Sequence, residues 1–193
     1  LDYSKTSNFL SGNSAASYST GFDLLETTNI STDTASVTLS GLSAYSDYKH
    51  LQVRIVARNT NTNSNSTAVY IRLNGDSGNN YSKHQLGAGG GSVYSSAGIP
   101  ADSAEMGTVA GNKATTNPTS VFGAVVAEIL DFSSPNKFTT LRGLGGVMNE
   151  TNEARIALSS SVWRNTDSVT SLLVYLSSAD FFAGSRVSLY GSK

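Results

Sequence analysis

The chain has 193 residues, 38% of them hydrophobic and only 14% charged, with a formal net charge of -1. That length suits one large β-domain with a sizeable core, and the near-zero charge supplies no field to draw the chain to phosphate backbones or anionic lipid, so neither nucleic acid nor membrane is an expected partner. The absence of cysteine excludes a disulfide framework, thiolate metal ligands and a thiol nucleophile, leaving burial and strand pairing to hold the fold.

Residues 1–22 are rich in Ser, Asn, Gly and Tyr and show neither the helical nor the strand period, which reads as an extended N-terminal arm. Its apolar residues Tyr3, Phe9, Leu10, Tyr18 and Phe22 suit docking across a subunit boundary; a terminus loose in solution is the other reading. The opening LDYSKTSNFL has neither the basic nor the apolar part of a secretion signal, and no apolar run reaches the roughly 18 residues of a membrane span, so a soluble chain is expected.

Residues 23–193 read as a single β-sandwich domain, because short β-type runs alternate with turn-rich gaps from Leu24 onward. In the clearest run, 50–58, Leu51, Val53, Ile55 and Ala57 share one face while Gln52, Arg54 and Arg58 share the other, with Val56 the exception. Val69, Ile71 and Leu73 alternate with Tyr70 and Arg72 in the same way, and the NTNTNSNST between the two runs is a polar turn or hairpin tip. Further strands are expected over 36–39, 121–130, 138–144, 155–163, 169–176 and 186–190. The near-continuous apolar stretches at 121–130 and 172–176 suit strands covered on both faces, one of them by a subunit neighbour. Residues 87–120, which contain Gly-Ala-Gly-Gly-Gly and two prolines, are expected to form the longest loop, with one short strand near 106–109. No segment shows a capped amphipathic helix and no repeat has a fixed period.

Catalytic motifs are missing. The two histidines, His50 and His84, each follow a lysine and have no carboxylate or nucleophile at a motif spacing, so both read as structural or exposed, and no catalytic residue is assigned. A glycosidase needs only two carboxylates in a cleft, for which Asp76, Glu128, Asp131, Glu150, Glu153 and Asp167 are the candidates; Glu128 reads as an outward strand residue and Asp131 as a turn. The oxygen-rich segment 74–80, NGDSGNN, could ligate a hard cation, but its Gly, Asn and Asp are already explained by turn chemistry. The glycines at 87–91 lack the third glycine of a dinucleotide loop, Ser92 standing in that place, and four Asn-x-Ser/Thr triplets are expected by chance in such a composition. No cofactor and no metal is expected.

Three blocks carry a resemblance. They are Tyr48-Lys49-His50-Leu51-Gln52-Val53-Arg54, then Val69-Tyr70-Ile71-Arg72-Leu73-Asn74-Gly75-Asp76-Ser77-Gly78-Asn79-Asn80-Tyr81, and the closing Phe182-Ala183-Gly184-Ser185-Arg186-Val187-Ser188-Leu189-Tyr190-Gly191. With the stretch around Asn136-Lys137-Phe138, they resemble virion structural proteins of tailed bacteriophages over about residues 36–191. The resemblance implies an all-β, antiparallel, jelly-roll-like sandwich in a capsid-decoration or fibre domain on the particle surface. Its implied partners are copies of itself, as a homotrimer, and other capsid or tail proteins. The alternative expectation is a module at a fibre tip that binds host-surface glycan, with Tyr81, Tyr94 and Trp163 as stacking residues; ordinary core packing is the other reading of those rings.

Overall fold

The computed structural model describes residues 21–112, 119–148 and 154–193. The expected arm residues Tyr3, Phe9, Leu10 and Tyr18 lie outside the described residues. Among those described, the strands are β1 (Asp23–Asn29), β2 (Ser36–Ser40), β3 (His50–Ala57), β4 (Ser66–Leu73), β5 (Tyr81–Gly89), β6 (Ser92–Ala101), β7 (Ala104–Ala110), β8 (Gly123–Leu130), β9 (Thr139–Val147), β10 (Arg155–Trp163), β11 (Ser171–Leu176) and β12 (Arg186–Ser192). A short 3-10 turn at Leu42–Tyr45 is the one helical element among the described residues.

The strands form two antiparallel sheets that pack as a sandwich. The long sheet has the order β1-β12-β3-β8-β9-β10-β5-β6 and the short sheet β2-β11-β4-β7. Four strands of the long sheet, β1-β12-β3-β8, oppose the short sheet in an order consistent with a jelly roll of two interleaved Greek keys. The hairpins β9–β10 and β5–β6 are then additions that widen one sheet only.

Alternation places the core as expected on the strands of that central body. Leu51, Val53 and Ile55 of β3, Val125, Ala127 and Ile129 of β8, and Val187 and Leu189 of β12 face Leu172, Val174, Val69, Ile71 and Leu73 from the short sheet, all at most 1% exposed. Full burial of such side chains contributes about 1.5–3 kcal/mol each. Pairing of the chain's two ends, with Thr27 opposite Ser188, and the pairing of Leu189 with Val53 make the contact pattern strongly non-local.

Two expectations are corrected. The polar segment after β3 is not a hairpin tip: β3 belongs to the long sheet and β4 to the short one, so this segment crosses between layers. Most of residues 87–120 is not loop, since β5 ends at Gly89 and β6 and β7 follow. The glycine cluster is the β5–β6 hairpin tip, where Gly90 and Gly91 take φ of 57° and 82°, values that side chains resist. β6 escaped notice because its mostly small and polar residues are largely exposed and carry no apolar alternation.

The two sheets meet most closely at a glycine seam. A Cβ on Gly143 would lie 2.1 Å from the Met106 carbonyl oxygen, and one on Gly123 would lie 2.7 Å from the Val109 Cα. β7 therefore packs on β8 and β9 with backbone against backbone. Gly143→Ala should cost about 3 kcal/mol or more in urea denaturation, because main chain has to move. By contrast, Ser161 has a buried hydroxyl with no partner among the described residues, so Ser161→Ala should leave stability unchanged or raise it by about 1 kcal/mol in the same assay.

Candidate functional site

Along part of the added hairpins the usual strand pattern is reversed. Ser159 and Ser161 of β10 and Gln85 of β5 face the interior and are buried, whereas Ile156, Leu158 and Leu86 point outward and are more than half exposed. Cross-strand register gathers these outward residues into rows. Val126, Leu144, Leu158 and Leu86 are successive neighbours across β8, β9, β10 and β5. The adjoining row runs Val56, Ala124, Gly146, Ile156, Ala88, Val93 from β3 to β6.

The second row sinks where its residues are small. Ala124, Gly146 and Ala88 line a cleft of about 670 Å³ together with Leu144, Ile156 and Met148. Beside it Val126, Leu144 and Leu158 line a depression of about 440 Å³, bordered by Glu128 and Arg142, which form an ion pair of 2.6 Å. A polar row of Gln52, Glu128, Arg142, Ser160 and His84 follows. At its β3 end the band is closed by Arg54, whose guanidinium lies 4.0 Å from the Tyr190 ring centroid and 5.4 Å from that of Phe22. The outer surface of the long sheet is thus an apolar band framed by charge.

The expected stacking residues divide. Tyr81 and Trp163 are register partners at the end of the β5–β10 pair and are at most 1% exposed, so neither ring is open to a glycan. Their polar atoms are used inside: Trp163 Nε1 donates to Asp76 Oδ2 at 2.7 Å, and the Tyr81 hydroxyl accepts from the Leu73 amide at 2.9 Å. Burial pushes the Tyr81 hydroxyl well above the usual phenol range. Tyr94, by contrast, is half-buried on β6, next to Gly87.

The segment 74–80 is a turn built around one carboxylate. Asn74 and Gly75 take φ of 54° and 68°, and Asp76 accepts from the Gly78 amide at 2.8 Å and from Asn80 Nδ2 at 3.0 Å, besides Trp163. N–H donors fill both Asp76 oxygens where a cation would need them. Among the described residues no group of three or more His, Asp or Glu is placed to hold a metal ion. The other carboxylate candidates stand apart: Asp131 pairs with Lys137 and its amide donates to His50 Nδ1 at 3.0 Å, Glu128 pairs with Arg142, and Asp167 accepts from Asn165. Glu150 and Glu153 lie outside the described residues, and His84 is exposed on the outer face.

Leu86, Leu144, Met148, Ile156 and Leu158 were not singled out from the sequence. Their signal was present in Arg155-Ile156-Ala157-Leu158-Ser159-Ser160-Ser161, where the larger apolar residues alternate with small ones on a face that then has to be open. No family model, curated protein or solved structure matches the chain.

Burial pushes the Asp76 carboxyl upward, but hydrogen bonds from Trp163, Asn80 and Gly78 and the charge of Arg72 outweigh it and hold the group below its ordinary value. A carboxyl depressed in the folded state stabilises fully above its unfolded pKa, near 4, and loses that contribution as pH falls through the folded value. Urea midpoints measured from pH 6 down to pH 3 should therefore decline more steeply below about pH 4 in the native chain than in Asp76→Asn, which cannot titrate there.

Proposed function

We propose that the chain is a structural subunit of a tailed-bacteriophage particle, a capsid-decoration or fibre domain at the particle surface that assembles with copies of itself as a homotrimer. The observation that carries the reading is the partly reversed pattern of β10 and β5, where Ser159, Ser161 and Gln85 are inside and Leu158, Ile156 and Leu86 outside, although Trp163, Tyr81 and Ala157 remain in the core. A strand keeps its larger apolar residues on the side that is dry in the working state, and exposed apolar patches of this size mark association surfaces.

The occupant fitted to this band is a second copy of the chain. The second row crosses six strands; with the first row beside it, about 4.8 Å per strand and about 13 Å along them give roughly 400 Å², about half of the ~800 Å² per partner in a standard interface. The ridge of Leu144, Leu158 and Leu86 and the sunken row of Ala124, Gly146 and Ala88 lie side by side, so one copy supplies both knob and hole. The ion pair and Arg54 at the border leave a polar rim, as interfaces of this kind have.

The three sequence blocks that resemble virion proteins supply the particle assignment. A cysteine-free body whose strands pair across most of the chain length suits slow unfolding outside a cell. In this reading the chain performs no catalysis, and its work is mechanical.

Light scattering at micromolar concentration should return three times the 20.2 kDa chain mass. Leu144→Glu with Ile156→Glu should shift the protein to monomer with an unchanged circular dichroism spectrum, since both side chains already face outward; a monomeric native chain would sink the self-assembly. Imaging of purified particles with and without the protein tests the location, and its absence from intact particles would remove the virion reading.

A further inference from the structure

The long sheet is twice as wide in strands as the short one, so at about 4.8 Å per strand the inner surface of the β5–β6 hairpin projects past β7, the last strand of the short sheet. Under that overhang lies a cleft of about 230 Å³ whose walls, unlike the sandwich interior, end in hydrogen-bonding groups. Gln85 comes from β5, Tyr94 from β6, Glu105 and Thr108 from β7, and Arg155 from β10. A second space of about 300 Å³, lined by Asn65, Gly89, Gly90 and the same Arg155, continues it into a groove.

The polar groups are positioned rather than loose. Gln85 is 8% exposed, and its Nε2 donates to Glu105 Oε1 at 3.0 Å and to Ser159 Oγ at 3.3 Å. That fixes the amide and leaves Oε1 as an acceptor with no protein partner among the described residues. Thr108 Oγ1 donates to the Thr67 carbonyl at 3.0 Å and so offers the cleft an acceptor as well. Glu105 is neutralised by Lys83 at 2.9 Å. The Tyr94 ring lies across Gly87, where a Cβ would sit 2.4 Å from its Cζ and Oη. Glycine at that position is what lets the ring rest on the strand. The Arg155 stem crosses Gly89 in the same manner, with Cγ 3.1 Å from where a Cβ would be, and its guanidinium is in no ion pair among the described residues.

The groove therefore combines an aromatic wall, two fixed acceptors, a phenol hydroxyl and an arginine with no ion-pair partner among the described residues. Acceptors take sugar hydroxyls, an aromatic face takes the C–H side of a pyranose, and a guanidinium takes a carboxylate with paired hydrogen bonds. We infer that this groove binds an acidic carbohydrate, with one uronic or sialic acid residue held between Tyr94 and Arg155 and the next sugar toward Gly90. A bare inorganic anion would use Arg155 alone and leave Gln85 and Tyr94 idle. Gln85, Tyr94, Glu105 and Thr108 line the groove and not the outer cleft, whereas Gly89, Gly90 and Arg155 border both, so the inference rests on the groove's own polar walls and not on the assembly proposed above.

Ligand-observed saturation-transfer NMR on the full chain tests it, with glucuronic acid, N-acetylneuraminic acid, glucose and sodium sulfate as probes, sulfate acting as competitor. At least one acidic sugar should give a saturable signal in the millimolar range, with glucose about tenfold weaker. Tyr94→Ala and Arg155→Ala should each weaken that signal by about tenfold at an unchanged thermal midpoint, Arg155→Ala chiefly for the acidic sugars. The signal should persist in Leu144→Glu with Ile156→Glu, so failure of assembly and failure of this site are read separately. Absence of signal from both acidic sugars, full displacement by equimolar sulfate, or binding untouched by both single variants would overturn the inference.

Discussion

Strand β7 can lie on β8 and β9 only because Gly107, Gly123, Gly143 and Gly145 bring no side chain to the contact, and this close approach sets the position of the short sheet over the long one. Fixed there, the short sheet covers the jelly-roll half of its partner and reaches across β9 and β10, but it ends before β6. The long sheet continues regardless, because β8, β9, β10, β5 and β6 satisfy one another's backbone groups without help from a second layer. The mismatch in width then falls entirely on the added hairpins. Side chains on their inner surface meet solvent near β7, and side chains on their outer surface are covered by no second layer among the described residues.

The chemistry on the two surfaces follows from that geometry. Inside, a dry apolar core cannot form at a sheet edge that water reaches, and the space is filled by Lys83, Glu105, Gln85 and Ser159 in a connected polar network. Burial alone pushes the Lys83 amine down, but the hydrogen bond and charge of Glu105 and the neighbouring Tyr70 more than reverse it, so the amine stays charged. Such a half-buried pair contributes little net stability and much to placing the β5 strand over β7. Outside, Leu86, Leu144, Ile156 and Leu158 stay 52–56% exposed, so roughly half of the ~1.5–3 kcal/mol that full burial of each contributes is left for a partner to supply.

These two effects also explain what could be read from the sequence and what could not. In β3 and β4 one face is dry, and both the strand positions and the inward residues were legible, whereas β11, read from the sequence as covered on both faces, buries only alternate residues in this chain. Val56 stood out as an exception and proved to be part of the outer band. Strand β6 was read as loop because neither of its faces is packed against apolar neighbours, so no periodic signal is imposed on it. For Tyr81 and Trp163 the sequence offered both glycan stacking and core packing, and they cap the core; a sequence does not reveal that Asp76, far from Trp163 along the chain, supplies the partner for the indole N–H. Tyr94 was legible as a candidate; the groove around it was not, because its walls come from β5, β6, β7 and β10 and meet only through the overhang.

The edges of the long sheet bear on how a neighbour could cover it. A chain could in principle be added beside β6, whose outer backbone groups have no strand partner among the described residues. That strand, however, carries Pro100, which brings no N–H, and its register with β5 shifts between Tyr81 and Lys83, so regular strand addition is obstructed near its end. β1, the opposite edge, is likewise irregular between Leu24 and Glu26. Irregular edges discourage open-ended sheet extension, which would lead to fibres, while leaving the apolar band on the flat of the sheet unobstructed. In the proposed assembly, association by faces in a closed symmetric group would use this band, where burial of the exposed leucine and isoleucine side chains is favourable.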